Sequence, residues 1–346
     1  PVFNSATTEY NCIVKNNVTS VTVNATATSS KSKVRGLGAK DLAVGKNTLP
    51  IRVIAEDGSE KIYNVNVTRK AGATSLKNEI MKNPVIAANP TLTTSSNNTT
   101  DASGLYASTD TNTGKPTYYF RGNVTNNYVL FAGQIWRIVR VNEDGTIRIV
   151  MQDGINSNTE YEFNSNDNNY TYMYYTNSKV KSPLENWYQT NIGSKKDLAS
   201  SVASGNYYCE QAKAKYGDGD GGTSGNAVMA TYNKYTPDFK CIADENGKGV
   251  VNASVGLLTY DEVVYAGGYY GQNNSNYYLN NSSIIWWTMS PAGFSGSYSY
   301  VWYVYPAGNI SYNSVITTRA VRPVLNLNAD TLVTGTGTSS DPFVIS

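Results

Sequence analysis

The side chains through which this chain can act most strongly on another molecule are aromatic rings, and they crowd towards its end. Trp286 and Trp287 open the run WWTMSPAGFSGSYSYVWYVYPAGNISYNS, which also carries Phe294, Tyr298, Tyr300, Trp302, Tyr303, Tyr305 and Tyr312. Tyr and Trp bury large areas with few rotors to freeze and keep a polar handle, which is the chemistry of recognition. Val301 and Val304 flank Trp302 and Tyr303, so strict alternation fails and some of these rings belong to a core. Trp136, Trp187 and Trp286 sit in apolar runs and are expected in the core as well. The ligand-binding set read from the run is Phe294, Tyr298, Tyr300, Trp302, Tyr305, Asn309, Tyr312 and Asn313. Arg319 and Arg322 are expected to hold the fold, through carboxylates or carbonyls, rather than to touch ligand.

Covalent and acid–base chemistry finds little support. The 346 residues contain no histidine, which removes the commonest general base and metal ligand together. The adjacent carboxylates Asp261 and Glu262 have a structural explanation. Thr259 and Glu262 stand three apart ahead of Val263, Val264 and Ala266, the spacing of a capping box, and Gly267-Gly268 then ends the helix. No catalytic residue, cofactor or metal ligand is therefore expected, and the chain is read as not an enzyme. The oxygen-rich stretches Asp218–Gly222 and Asn164–Asn169 leave calcium open, although neither has the EF-hand spacing with its closing Glu.

Three cysteines remain. Cys209 and Cys241 bracket a Gly-rich polar insertion; joined, they would close a loop of about thirty residues and contribute on the order of 3 to 4 kcal/mol, while two reduced buried thiols are the alternative. Cys12 lies in a strand-like run beside Ile13 and Val14 and is read as a small core residue. A disulfide favours an oxidising, extracellular setting. With 16% charged residues and a formal net charge of +2, no field steers nucleic acid or an anionic membrane. No apolar run reaches the roughly 20 residues that cross a bilayer. The sequence starts at Pro1 without a basic n-region and an apolar h-region, so any signal, and any membrane or cell-wall anchor, is expected outside these residues.

The positioning elements follow from periodicity. Residues 1–70 alternate apolar and polar side chains in VTSVTVNATATSS, TLPIRVIAE and KIYNVNVTR, and Asp57-Gly58 signals a hairpin. Their order, with Phe3, Tyr10 and LAVGKNTLPIRVIAEDGSEKIYNVNVTR, resembles the cadherin-like (Ig-like) β-sandwich repeat of bacterial surface proteins, which implies a spacer module. Residues 71–116, with the polar tract NPTLTTSSNNTTDASG, read as a linker containing a short helix at 75–82. NYVLFAGQIWRIVRV, the Glu143-Asp144-Gly145 turn and TIRIVMQDG read as a hairpin, followed by helical pieces near 183–190 and 195–203.

The pattern LLTYDEVVYAGG, then WWTMSP and RAVRPVLNL, is similar to the formylglycine-generating-enzyme branch of the C-type lectin-like fold, at positions Leu258, Thr259, Glu262, Ala266, Trp286, Trp287 and Arg322. Residues 104–345 also resemble an uncharacterised family of gut bacterial surface proteins through YYFRGNV, NWY, GLLTYDEVVYAGG, RPVLNL and the closing Gly-Thr and Asp-Pro pairs. The resemblance implies a fold of mixed α+β and all-β character: a sandwich at 1–70, a linker at 71–116 and a C-type lectin-like ligand-binding head at 117–346. Variable proteins diversified by retroelements share that fold and place their changeable residues on the last strands, here 293–314. The oxidase activity of formylglycine-generating enzymes is not implied, because their copper-binding cysteine pair has no counterpart after Cys241. The expectation is a secreted or surface-anchored bacterial adhesin that binds a protein or glycan on a host or neighbouring cell. A structural subunit of a fibre tip or surface layer is the alternative.

Overall fold

In a computed structural model the described residues are 2–90, 92, 101–212, 228–229, 237–244, 246–294 and 297–345. The chain divides into two compact units, Pro1–Thr74 and Ser75–Ser346, and among the described residues it is mostly β-sheet with few helices.

The first unit is built from β1 (Glu9–Val14), β2 (Ser20–Val23), β3 (Lys33–Arg35), β4 (Gly38–Asp41), β5 (Gly45–Ile54) and β6 (Glu60–Arg69). One sheet runs β1-β6-β5-β3, and β2 pairs with β4 in the other. Period-two patterning turns Val23, Leu42, Leu49 and Val67 inward, with Cys12, Val14 and Ile51 packed against them, so Cys12 has the core role read for it. The Asp57-Gly58 turn joins β5 to β6, with Gly58 at φ +85° and the Ala55 N–H donating to the Ser59 carbonyl at 2.9 Å. Only Gly accepts that backbone without strain.

The second unit begins earlier than the linker reading allows. Leu76–Met81 is a helix, N-capped by Ser75, that buries Leu76 and Ile80 in the same core as Trp136 and Trp286. Gly104–Ser108 pairs along its length with Thr117–Arg121. Residues 71–116 are therefore not a linker throughout: a few well-spaced apolar side chains suffice to seat a short helix and a strand. The larger sheet runs, neighbour to neighbour, from Val324–Leu327 through Ile147–Met151, Gln134–Val141 and Tyr128–Phe131 to Phe343–Ile345 and Leu332–Thr334. The expected hairpin around Gly145 supplies its middle. The second sheet runs Glu160–Glu162, Thr318–Ala320, Trp286–Phe294, Ser299–Val304, Asn309–Ser314 and Tyr269–Tyr270. The expected helical pieces appear as Lys181–Tyr188 and Lys196–Ala199, and Trp136, Trp187 and Trp286 are all buried.

Helix Tyr260–Ala266 is wholly buried and is gripped at both ends. At its start the capping box is present: the Glu262 N–H donates to Thr259 Oγ1 at 3.1 Å and the Thr259 N–H to Glu262 Oε2 at 3.0 Å. Glu262 does more than cap. Arg140 and Arg148 are direct cross-strand partners in the hairpin, and both aim at its other oxygen, Arg148 Nη1 at 2.6 Å and Arg140 Nε at 3.2 Å. At the far end Arg121 Nη1 donates to the Val264 and Tyr265 carbonyls at 2.8 and 2.9 Å, where the helix dipole favours a cation. Burial pushes the Glu262 carboxyl up, but Arg148, Arg140 and the Thr259 N–H outweigh it and hold the group below the usual carboxylate range.

Cys209 and Cys241 form a disulfide with Cα atoms 5.6 Å apart. It ties the strand Tyr207–Cys209, paired with Val250–Asn252, to a segment in which Phe239 is buried. The Gly-rich insertion between the cysteines falls largely outside the described residues, as does Asp218–Gly222.

These bonds set the cost of removing each partner. Glu262→Gln keeps a capping acceptor but strips the charge facing two buried guanidinium groups, so it should cost about 3 to 5 kcal/mol, against about 1 kcal/mol for Thr259→Ala; urea denaturation separates the two roles. Because the folded-state carboxyl lies below its ordinary value of 4.5, its contribution is complete above that pH and is lost as the pH falls through the folded value. The wild type should therefore lose stability in acid, and Glu262→Gln should lose less over that window. Reducing the disulfide should lower the unfolding free energy by about 3 to 4 kcal/mol, measured with and without reductant.

Candidate functional site

The terminal hairpin explains which rings meet. Ser299–Val304 and Asn309–Ser314 pair antiparallel, with Tyr300 opposite Ser314, Trp302 opposite Tyr312 and Tyr303 opposite Ser311. Opposed residues share a face, so Tyr300, Trp302 and Tyr312 lie on one side and Tyr303, Ser311 and Asn313 on the other. The strand Tyr269–Tyr270 pairs parallel with Asn309–Ile310 and brings Tyr270 to the first side. The turn between the strands is fixed by Gly308 at φ +80°, where an added Cβ would lie 1.8 Å from the Asn274 carbonyl oxygen. The Gly308 N–H donates to the Tyr305 carbonyl at 2.9 Å.

On the first face four rings interlock. Trp302 is 3% exposed and packs 4.7 Å from Tyr260 of the buried helix. Tyr270 and Tyr312 meet it near perpendicular at 5.4 Å each. Tyr300 stands edge-on to Tyr312 at 5.7 Å. Tyr270, Tyr300 and Tyr312 are half-buried, so the result is a patch of three tyrosines, two of them set against a tryptophan floor and the third against Tyr312. Burial pushes the Tyr312 hydroxyl above its ordinary value, with the Tyr270 hydroxyl beside it adding to the effect. Such a patch can bury the flat apolar side of a ligand and bond to it through hydroxyls, with little conformational entropy left to lose.

The expected ligand-binding residues do not form one surface. Trp302 and Phe294, the latter 7% exposed, are buried: the pairing that places Trp302 among partners turns it onto the helix, and Phe294 is held within the pairing of Trp286–Phe294 with Ser299–Val304. Tyr298 is 52% exposed. Tyr305 and Asn313 are half-buried but lie on the opposite face from Tyr300 and Tyr312. Asn309 donates to Asn273 Oδ1 at 3.0 Å, at the rim of the hairpin. Tyr270 belongs to the patch but lies outside the expected set, because the stretch Gly267-Gly268-Tyr269-Tyr270 gives no period to follow. Arg322 holds the fold through carbonyls, donating to Met151 and Leu279 at 2.9 and 2.8 Å. Burial pushes it down to about 10.

The Asn164–Asn169 stretch uses its oxygens internally. The Asp167 carbonyl accepts the Ser299 N–H at 2.7 Å and its carboxylate accepts Ser314 Oγ at 2.5 Å, while Asn169 caps the turn at Tyr170. Among the described residues no group of three His, Cys, Asp or Glu side chains is placed to hold a metal ion. No described helix is long and apolar enough to cross a membrane.

Comparison with known proteins supports this division. Residues 1–70 match the family model of the cadherin-like beta sandwich domain, and the first unit is such a domain; it and the disulfide are features typical of extracellular proteins. Residues 221–329, which include both strands of the terminal hairpin, match the model of a domain of unknown function, DUF6273. No curated protein and no solved structure matches the chain.

Truncation should sort the rings. Trp302→Ala should cost about 3 to 5 kcal/mol of stability as a core deletion, Tyr312→Ala about 1 to 2 kcal/mol, and Tyr298→Ala less than about 0.5 kcal/mol. Urea midpoints of the three variants check the order.

Proposed function

We propose that this protein is a bacterial cell-surface or secreted binding protein, an adhesin whose cadherin-like spacer carries a C-type lectin-like head of the formylglycine-generating-enzyme and retroelement-variable branch. The observation that carries the reading is the Tyr270, Tyr300 and Tyr312 patch on its Trp302 floor. Rings fixed by T-shaped contacts, half-exposed and at the last strands suit recognition of a protein or a glycan by aromatic stacking and hydroxyl bonding. The order of motifs from Gly256 to Leu327 supports the head assignment, and the Tyr, Ser and Asn content of 293–314 suits a diversified surface. The buried bonds of Glu262 give that carboxylate a structural use, which supports binding over catalysis.

Glycan and protein arrays probed with the intact chain should return ligands whose affinity falls by about 2 kcal/mol or more for at least one of Tyr270→Ala, Tyr300→Ala and Tyr312→Ala, in variants shown to be folded. Ligands indifferent to all three changes would overturn the placement, and arrays without ligands would overturn the function. A second reading, a structural surface subunit, rests on a cavity of about 510 Å³ lined by Leu130, Phe131, Leu198, Val344 and Ile345. Concentration-dependent self-association in sedimentation, lost on changing the exposed Val344→Ser, would favour it.

A further inference from the structure

The opposite face of the second sheet holds a charge that the fold does not neutralise. Arg319 is opposite Tyr161 in the pairing of Glu160–Glu162 with Thr318–Ala320. Its guanidinium lies 4.9 Å from the centre of the Tyr303 ring and 5.8 Å from that of Trp287, both rings buried. Its one hydrogen bond goes from Nη1 to the carbonyl of its own neighbour Thr318, at 2.6 Å. Nε is buried and has no partner. Among the described residues no carboxylate pairs with it, whereas Arg121, Arg140 and Arg148 have carboxylate partners and Arg137 and Arg322 are held by amide or carbonyl oxygens of other segments. A guanidinium stacked on rings is pre-oriented, and with Nε buried the fork it can offer a carboxylate is its Nη1–Nη2 end.

The surroundings point to a polyol. Ser311 stands directly across the strand pair from Tyr303, and the half-buried Tyr305 ring stands edge-on to Tyr303 at 4.9 Å. On the other flank the Tyr161 hydroxyl is fixed by Asn156 Nδ2 at 2.8 Å. Asn156 belongs to three consecutive non-glycine residues, Asn156, Ser157 and Asn158, at φ +51°, +58° and +66°. Backbone in that region is costly for such residues, and a run of it persists only where the surroundings impose it. We infer that this face is a second binding site, centred on Arg319 with Tyr161, Tyr303, Tyr305 and Ser311 around it, for a sugar ring that bears a carboxylate. The guanidinium takes the carboxylate, the hydroxyls take those of the sugar, and the Tyr305 ring faces its C–H groups. This goes beyond the patch around Trp302, which lies across the sheet.

The test titrates the intact chain with methyl β-glucuronide, its methyl ester and the neutral methyl β-glucoside, followed by ligand-observed NMR and calorimetry. The acid should bind at least about tenfold more tightly than the ester and the glucoside, since only the acid presents a charged acceptor to the fork. Arg319→Gln should abolish the preference and Arg319→Lys, which keeps the charge but not the fork, should reduce it. Melting curves run alongside, and if Arg319→Gln unfolds, Tyr305→Phe, which keeps the ring, should still weaken the acid severalfold. Equal binding of acid and ester, a preference that survives Arg319→Gln, or capture of an Asp- and Glu-rich peptide in place of the sugar would each overturn the inference. Tyr312→Ala should leave the preference intact. If it removes the preference, the carboxylate is read on the Trp302 side and this site falls while the patch stands.

Discussion

Two buried arginines facing one buried glutamate set the terms for the larger unit. Arg140 and Arg148 sit directly opposite one another in the hairpin, an arrangement that like charges would destabilise. Glu262 resolves it by taking both on one oxygen while its other oxygen caps the helix. The helix therefore cannot slide or rotate without exposing two cations to an apolar interior. Desolvation makes such a cluster a poor source of net stability compared with well-packed hydrophobes; its value here is that it fixes one register between a helix and a sheet. Tyr260, next to the cap, is the ring against which Trp302 packs, so the position of the tyrosine patch descends from the position of this carboxylate.

The second consequence concerns how one hairpin serves two surfaces. A strand alternates its side chains, so a segment rich in tyrosine throughout must present rings on both faces. On one side the helix covers part of the row and leaves Tyr270, Tyr300 and Tyr312 at its border. On the other, Phe163 packs edge-on to Trp287 at 5.7 Å and covers the centre, while Tyr305 and Arg319 stay half-open. Burial of the middle and exposure of the margins on each side turn a single aromatic run into a floor with two rims.

Local chemistry was the legible part of the sequence. Thr259 with Glu262, Asp57-Gly58, the Gly145 turn and the Cys209–Cys241 pair each act over short spacings or a single bond, and each stands as read. Two things were not legible. The first was which face a ring takes: Trp302 and Tyr300 have similar neighbours in sequence, and only the pairing with Asn309–Ser314 and the helix behind it separates core from patch. The second was the use of arginine. Arg140 and Arg148 look like the polar positions of a half-exposed hairpin, and their burial depends on a carboxylate more than a hundred residues later. The same long range hid the membership of Leu76, Ile80 and Leu105 in the core: the short helix at 75–82 was readable, but the distant strands it packs on were not.

Gly308 gives the hairpin a property of its own. Its backbone conformation and the closeness of Asn274 leave room for no side chain, and the Tyr277 hydroxyl donates to its carbonyl at 3.1 Å. The turn is thus specified by the backbone and by residues outside the strands, and none of the half-open side chains at 270, 300, 305, 312 or 319 takes part in specifying it. Those positions are free to be exchanged as a set without renegotiating the course of the chain. A hairpin of this kind keeps the course of its backbone separate from the chemistry at its margins.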